Sequence, residues 1–254
     1  MIIDSHAHLD DKRFDSDRKQ VIENIIQSNI DRVINVGSDL TSSIASVEMS
    51  QQYDFIYAAC GIHPHEASSY SDEVEAELEK LLKMGKVVAI GEIGFDFYYN
   101  RSPKEIQEEV FIKQIHIANK YKKPIIIHDR EAHRLTLDTL IKNKKNDIQG
   151  VFHSYSGSSE MIKEVIDLDF YLSFNGIVTF KNAKKAQEAV KNTPMDRLLI
   201  ETDSPYLTPN PHRGKRNDST NVIHVAKAIA EIKEKQVEEI FEVTWNNACK
   251  LFKL

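Results

Sequence analysis

Residues 124–129 read PIIIHD and residues 197–205 read RLLIETDSP. Each is a short apolar run that stops at a side chain able to bind a metal: His128 in the first, Glu201 and Asp203 in the second. A strand with one face in water alternates apolar and polar residues. A parallel strand covered on both faces reads as continuous Ile, Leu and Val. These two runs therefore predict buried parallel strands with polar C-terminal ends. Comparable runs recur, and strands are predicted over 1–6, 32–37, 56–62, 87–93, 124–128, 150–154, 171–178 and 198–202. Amphipathic helical segments alternate with them over 15–28, 41–52, 72–84, 103–121, 131–144, 158–167, 182–192 and 220–234, with a last helix over 236–252. In the fourth of these, Ile106, Val110, Gln114 and Ile117 trace one face; Ser102 is the expected N-cap and Pro103 the first helical residue.

Eight strands alternating with eight helices in roughly 250 residues is the size of a (β/α)8 TIM barrel, an α/β fold. A doubly wound open sheet is the alternative. It would carry a Gly-rich first turn for a nucleotide, and DSHAHLDD (residues 4–11) is not one. No linker, short repeat or low-complexity segment interrupts the pattern, so one domain over 1–254 is expected.

The composition, 41% hydrophobic and 28% charged, is that of a globular chain with one large core. A net charge of −6 argues against a broad basic surface that coats nucleic acid, but leaves room for a local cationic patch. Cys60 and Cys249 are far apart and outside any C-x-x-C pair, which fits a reducing compartment. Residues 1–10 carry Asp and His where a secretory signal is apolar, and no apolar run reaches the length of a membrane span. A cytoplasmic protein without membrane contact is expected, and no obligate protein partner is evident.

The residues that close the predicted strands form the functional signal. Strand one ends in His6 and His8, strand three in GIHPH (61–65) with His63 and His65, and strand four in AIGEIGFD (89–96) with Glu92. Strand five ends in His128, strand six in His153, and strand eight in Glu201 and Asp203. Singly, each has a plain structural explanation. H-x-H arises by chance in a chain with ten histidines, His128 or His153 suits a buried hydrogen bond, Glu92 an ion pair, and Asp203 a turn before Pro205. Those explanations do not account for their joint position at strand C-termini, which in a barrel converge on the rim where active sites sit. His6 and His8, two apart on a strand, point to one side. The set predicts a metal centre. Four histidines with two or three carboxylates exceed the needs of one tetrahedral ion, so two divalent cations sharing a carboxylate, about 3.5–4 Å apart, are expected. Nitrogen and oxygen donors without cysteine leave Zn, Mn, Mg, Ni and Fe open.

With these residues in hand, the chain resembles the TatD family of metal-dependent deoxyribonucleases. The resemblance is carried by DSHAHLD (4–10), GIHPH (61–65), AIGEIGFDFY (89–98), KPIIIHDREA (123–132), VFHSYSG (151–157), IETDSPYLTP (200–209) and RGKRN (213–217). It implies a barrel of the metal-dependent hydrolase type, with His6 and His8 holding one ion beside Asp203, His128 and His153 holding the second, and Glu92 between them. Two departures stand out: Ser219 follows Asp218 where the family usually has proline, and HSYSG replaces the common HCFSG.

The expected reaction is hydrolysis of a phosphodiester, with DNA as substrate. Asp203 would orient or deprotonate the attacking water. Glu92 would bridge the ions, and Glu201, on the same face as Asp203, would hold a ligand or move a proton. Substrate contacts are expected from Arg213 and Lys215 in the basic loop, from Arg130, and from His63 and His65. Phe97, Tyr98 and Tyr99 are placed to stack on an unpaired base or to pack their own loop. A walled rim would favour single strands or frayed ends, and the family resemblance points to the 3′ end and to 3′–5′ exonuclease action. The alternative is amidohydrolase-type hydrolysis of a C–N, lactone or aminoacyl ester bond.

Overall fold

The computed structural model describes residues 1–145 and 147–254. Eight parallel strands pair in sequence order: β1 (Ile3–Ala7), β2 (Arg32–Val36), β3 (Ile56–Cys60), β4 (Val87–Asp96), β5 (Ile125–Arg130), β6 (Gly150–Phe152), β7 (Phe170–Phe174) and β8 (Leu198–Ile200). The sheet curls into a barrel whose seam joins β1 to the segment after β8. There Ala7 bridges Ser204, His8 N–H donates to Ser204 O at 2.8 Å, and Asp203 N–H donates to His6 O at 2.9 Å. Buried Asp4 reinforces the seam by accepting from Thr202 N at 2.8 Å and Thr202 Oγ1 at 2.6 Å. The outer ring is α1 (Arg18–Gln27), α2 (Leu40–Gln52), α3 (Asp72–Leu81), α4 (Lys104–Tyr121), α5 (His133–Asn143), α6 (Met161–Asp167), α7 (Lys184–Asn192) and α8 (Val222–Lys233), with α9 (Val237–Phe252) following. No described helix is long and apolar enough to cross a membrane.

Strand alternation sorts the apolar residues into two cores. Ile3, Ile34, Ala59, Val88, Ile126, Val151, Tyr171 and Leu199 fill the barrel's interior, and Ala248, Leu251 and Phe252 of α9 join that cluster. The larger core lies between the strands and the helix ring. The interior is thus packed rather than open, and the polar strand ends stand on top of it.

The differences from the sequence reading bear on the site. β4 runs three residues past the expected end and carries Asp96 as a strand residue. β7 stops at Phe174, four residues early, because Asn175 starts a 3-10 turn over Gly176–Thr179 by accepting from Ile177 N–H at 3.2 Å. Ser102 is not the cap of α4; that position is Pro103. The Ser102 hydroxyl instead donates to His65 O at 2.9 Å and accepts from Ser68 N–H at 3.0 Å, tying together the segments after β3 and β4. The buried face of α4 props the same region: Gln114 exchanges hydrogen bonds with Ile62 N and O at 2.8 and 3.0 Å, and Gln107 accepts from Asp96 N–H at 2.9 Å.

Candidate metal centre

Glu92 is the hub. One of its oxygens lies 2.9 Å from His153 Nε2, 3.2 Å from His128 Nδ1 and 3.9 Å from His6 Nε2; the other lies 3.7 Å from His8 Nε2. The carboxylate reaches this point because β4 and β5 approach closely. Gly94 has φ +143°, and a Cβ there would collide with the carbonyl oxygen of His128. Asp203 closes the opposite side, its Oδ1 3.4 Å from His8 Nε2 and 3.9 Å from His6 Nε2. Its φ of 55° falls in the left-handed region that Asp tolerates better than most residues, and it turns the side chain back toward the seam.

The far nitrogens of His8 and His128 are also engaged, which fixes the inward ones. His8 Nδ1 sits 2.7 Å from Val36 O, and His128 Nε2 sits 3.2 Å from Asp96 Oδ2. His153 Nδ1 has Glu201 Oε1 at 3.4 Å, out of line for a hydrogen bond. Glu201 is held in turn by Ser154 N–H at 2.7 Å and Asn175 Nδ2 at 3.3 Å.

This arrangement fits divalent cations. His6 Nε2 faces His8 Nε2 at 3.2 Å, and His128 Nδ1 faces His153 Nε2 at 3.2 Å. Opposed imidazole lone pairs need a proton or a metal between them. His6 Nδ1, His153 Nδ1 and Glu201 Oε2 are buried without hydrogen-bond partners. Among the described residues, three donor sets lie within binding reach: His6, His8 and Asp203; His6, His153 and Glu201; and His63, Glu92 and His128.

The structure thus brings His6, His8, Glu92, His128, His153 and Asp203 together, and it adds His63 to them. His63 is buried beside Glu92 and His128, in donor reach, and it also lines the cavity. His65 lines the cavity above and binds Asp96 Oδ2 at 2.9 Å. Asp96, shared by His65 and His128, was not among the expected residues. A period-two reading of GEIGFD would have found it, since Glu92, Gly94 and Asp96 share one side of a strand. Arg213 and Lys215 are not brought to the cavity. Arg213 stacks on Phe180 at 4.2 Å, and the loop is pinned outward by Arg216, whose guanidinium pairs with Asp17 at 2.6 Å.

Electrostatics separate the histidines. Burial pulls His6 and His63 well below the ordinary value, helped by His153 and His128 respectively. Burial opposes charge on His8 as well, but Asp203 and Glu92 outweigh it and raise its pKa to about 9. His128 and His153 are likewise raised against burial, by Asp96 and Glu92 and by Glu92 and Glu201. Glu92 is held well below its usual range; burial resists this, but the surrounding histidines prevail. In the metal-free protein protons therefore neutralise the carboxylates, and a cation must displace them. Metal affinity is expected to rise from pH 7 to 9, by up to about tenfold per pH unit for each proton displaced. Competition against a chelating dye at the two pH values checks this, and a flat affinity contradicts it.

The centre floors a cavity of about 870 Å³ at the C-terminal rim. The TatD-related DNase family model matches residues 3–253. The chain belongs to that family. Among its TatD-family relatives, the metal-dependent hydrolase YabD of Bacillus subtilis is 46% identical over 254 residues and is covered fully, as is this chain. The metal-dependent hydrolase YcfH of Escherichia coli K12 is 38% identical, covering 99% of this chain and 95% of its own length. The crystal structure of the TatD homologue YJJV of E. coli K12 superposes with a TM-score of 0.93 at 27% identity, over 100% of this chain and 98% of that one.

Proposed function

We propose that this TatD-family chain is a divalent-metal-dependent hydrolase that cleaves phosphodiester bonds of DNA, trimming single strands from the 3′ end. The observation that carries the reading is the histidine–carboxylate centre at the floor of a rim cavity, with Glu92 within 4 Å of four imidazoles. Divalent cations bound there supply a nucleophile from water near neutral pH and offset charge on the phosphoryl oxygens. The chain's own groups do the rest. Asp203, at the cavity edge, orients the attacking water and takes its proton. Glu92 keeps the inward nitrogens gathered. Asp96 holds His128 from behind, so that its orientation is set before substrate arrives, and Glu201 stands behind His153. Single strands are favoured because a stiff duplex would have to unpair, at a cost of a few kcal/mol, to put a phosphate on this recessed floor.

The test pairs an end-labelled linear single strand with its closed circle, in Mg, Mn, Zn and Ni, alongside a panel of lactones, cyclic amides and aminoacyl esters. Stepwise shortening of the linear strand from its 3′ end, abolished by chelator, is expected. A circle cut as fast as the linear form makes the enzyme an endonuclease. Turnover of the panel without any strand cleavage sinks the nuclease reading.

A further inference from the structure

The cavity over the metal centre carries its cations on one side only. Arg101, Arg130 and Lys185 line it, from the segment after β4, the last residue of β5 and the first turn of α7. Among the described residues, no Lys or Arg lines it from the segments after β1, β2, β3 or β8, which present Asp10, Asp11, Glu66, Asp203 and Tyr206 among others. Arg13, the nearest arginine in sequence on the β1 side, is already committed. It binds both oxygens of Asp11 at 2.8–2.9 Å and lies over the Tyr206 ring at 4.0 Å.

The three lining cations are uncommitted. Among the described ion pairs none involves Arg101, Arg130 or Lys185. Arg130 is nevertheless held in place, its guanidinium stacked 4.2 Å from the Tyr98 ring centre and 4.8 Å from that of Tyr99. Arg101 lies 5.7 Å from Tyr99. Stacking engages the face of a guanidinium and leaves its N–H edge free, the edge that fits a phosphate. Tyr98 and Tyr99 thus serve as a bracket for Arg130.

A strand that runs through an active site has phosphates on both sides of the scissile bond. A strand that ends there has them on one. We propose that Arg101, Arg130 and Lys185 hold the backbone phosphates of the strand's body, and that the terminal nucleotide, released as a 5′-monophosphate when water adds to its phosphorus and the body's 3′-oxygen leaves as a hydroxyl, lies with its nucleoside toward Tyr206 on the β1 and β8 side. The half-exposed Tyr206 ring offers that nucleoside a surface, and the cation stacked on that ring, Arg13, is already paired with Asp11. The proposal rests on the phosphodiesterase reading above and gives it a direction: the strand enters over β4, β5 and β7.

Two measurements on the metal-loaded enzyme test it. Replacing Arg101, Arg130 and Lys185 together by Ala should raise the Kd for a labelled single strand by at least tenfold at low salt. It should also make the slope of log K against log salt shallower by about 2, for three phosphates lost. Separately, a strand ending in a 3′-phosphate should be trimmed at least tenfold more slowly than one ending in a 3′-hydroxyl, whereas a 5′-phosphate changes the rate less than twofold. Tyr206→Lys, which puts an ammonium on the bare side, should narrow the 3′ gap. Strands that are cut while the triple variant keeps the wild-type Kd and slope, or while both 3′ ends are trimmed equally, overturn the wall assignment and leave the nuclease reading standing. Failure to cut any strand with any metal overturns both.

Discussion

Glu92→Gln should cost most of the activity, with kcat falling on the order of 10²–10³-fold, because it removes the one charge that all the facing histidines share. The amide keeps the shape of the side chain but not its charge. His8, His128 and His153 are raised in pKa largely by Glu92 and its carboxylate neighbours, and the same negative charge would offset that of the cations. Bound metal should therefore fall to less than half the wild-type content. Elemental analysis of the purified variant and steady-state kinetics on a single strand check both parts. Full metal content with near-normal turnover would show that Glu92 is dispensable as the hub.

Gly94→Ala should act on the fold as much as on the site. Its backbone lies at φ +143°, a region L side chains rarely adopt, and the new methyl would meet the His128 carbonyl. The two strands that carry Glu92 and His128 cannot then keep their spacing. A loss of about 3 kcal/mol or more is expected, lowering Tm by about 10 °C for a chain of this size. Gly85 makes the control. A Cβ there meets nothing within 4 Å, so Gly85→Ala should shift stability by no more than about 0.5 kcal/mol. Thermal unfolding of the two variants side by side decides the matter, and equal Tm values would contradict the role given to Gly94.

The barrel and the donor set were legible because both depend on local pattern. Runs such as PIIIH fix a strand, and a histidine at its end needs no knowledge of its neighbours to be placed on the rim. What escaped depended on pairing across the fold. His63 sits in GIHPH at the end of strand three and reads there as a substrate contact; Gln114 of α4, bonded to Ile62, and Ser38 O, which accepts from His63 N–H, hold it beside Glu92. Asp96 lies in the last three residues of β4, past the end expected at residue 93. The RGKRN loop concentrates charge in the sequence, yet Arg216 is matched by Asp17, nearly two hundred residues upstream, and Arg213 by the ring of Phe180. Arg101 and Lys185, by contrast, sit in unremarkable stretches, and what marks them is that no described ion pair includes them.

Gly94 has a meaning beyond its own stability. Glu92 and His128 stand on β4 and β5, whose spacing at Gly94 leaves no room for an added methyl, whereas Arg101 and Lys185 stand beyond the ends of β4 and β7 and Arg130 is the last residue of β5. Inheritance should treat the two parts differently. Segments after β4, β5 and β7 can lengthen, shorten or change sign while the reaction survives beneath them. A lineage of such proteins would then diversify in what it cuts long before it lost the capacity to cut, and selection for a new substrate would best randomise those three segments and leave GEIG untouched.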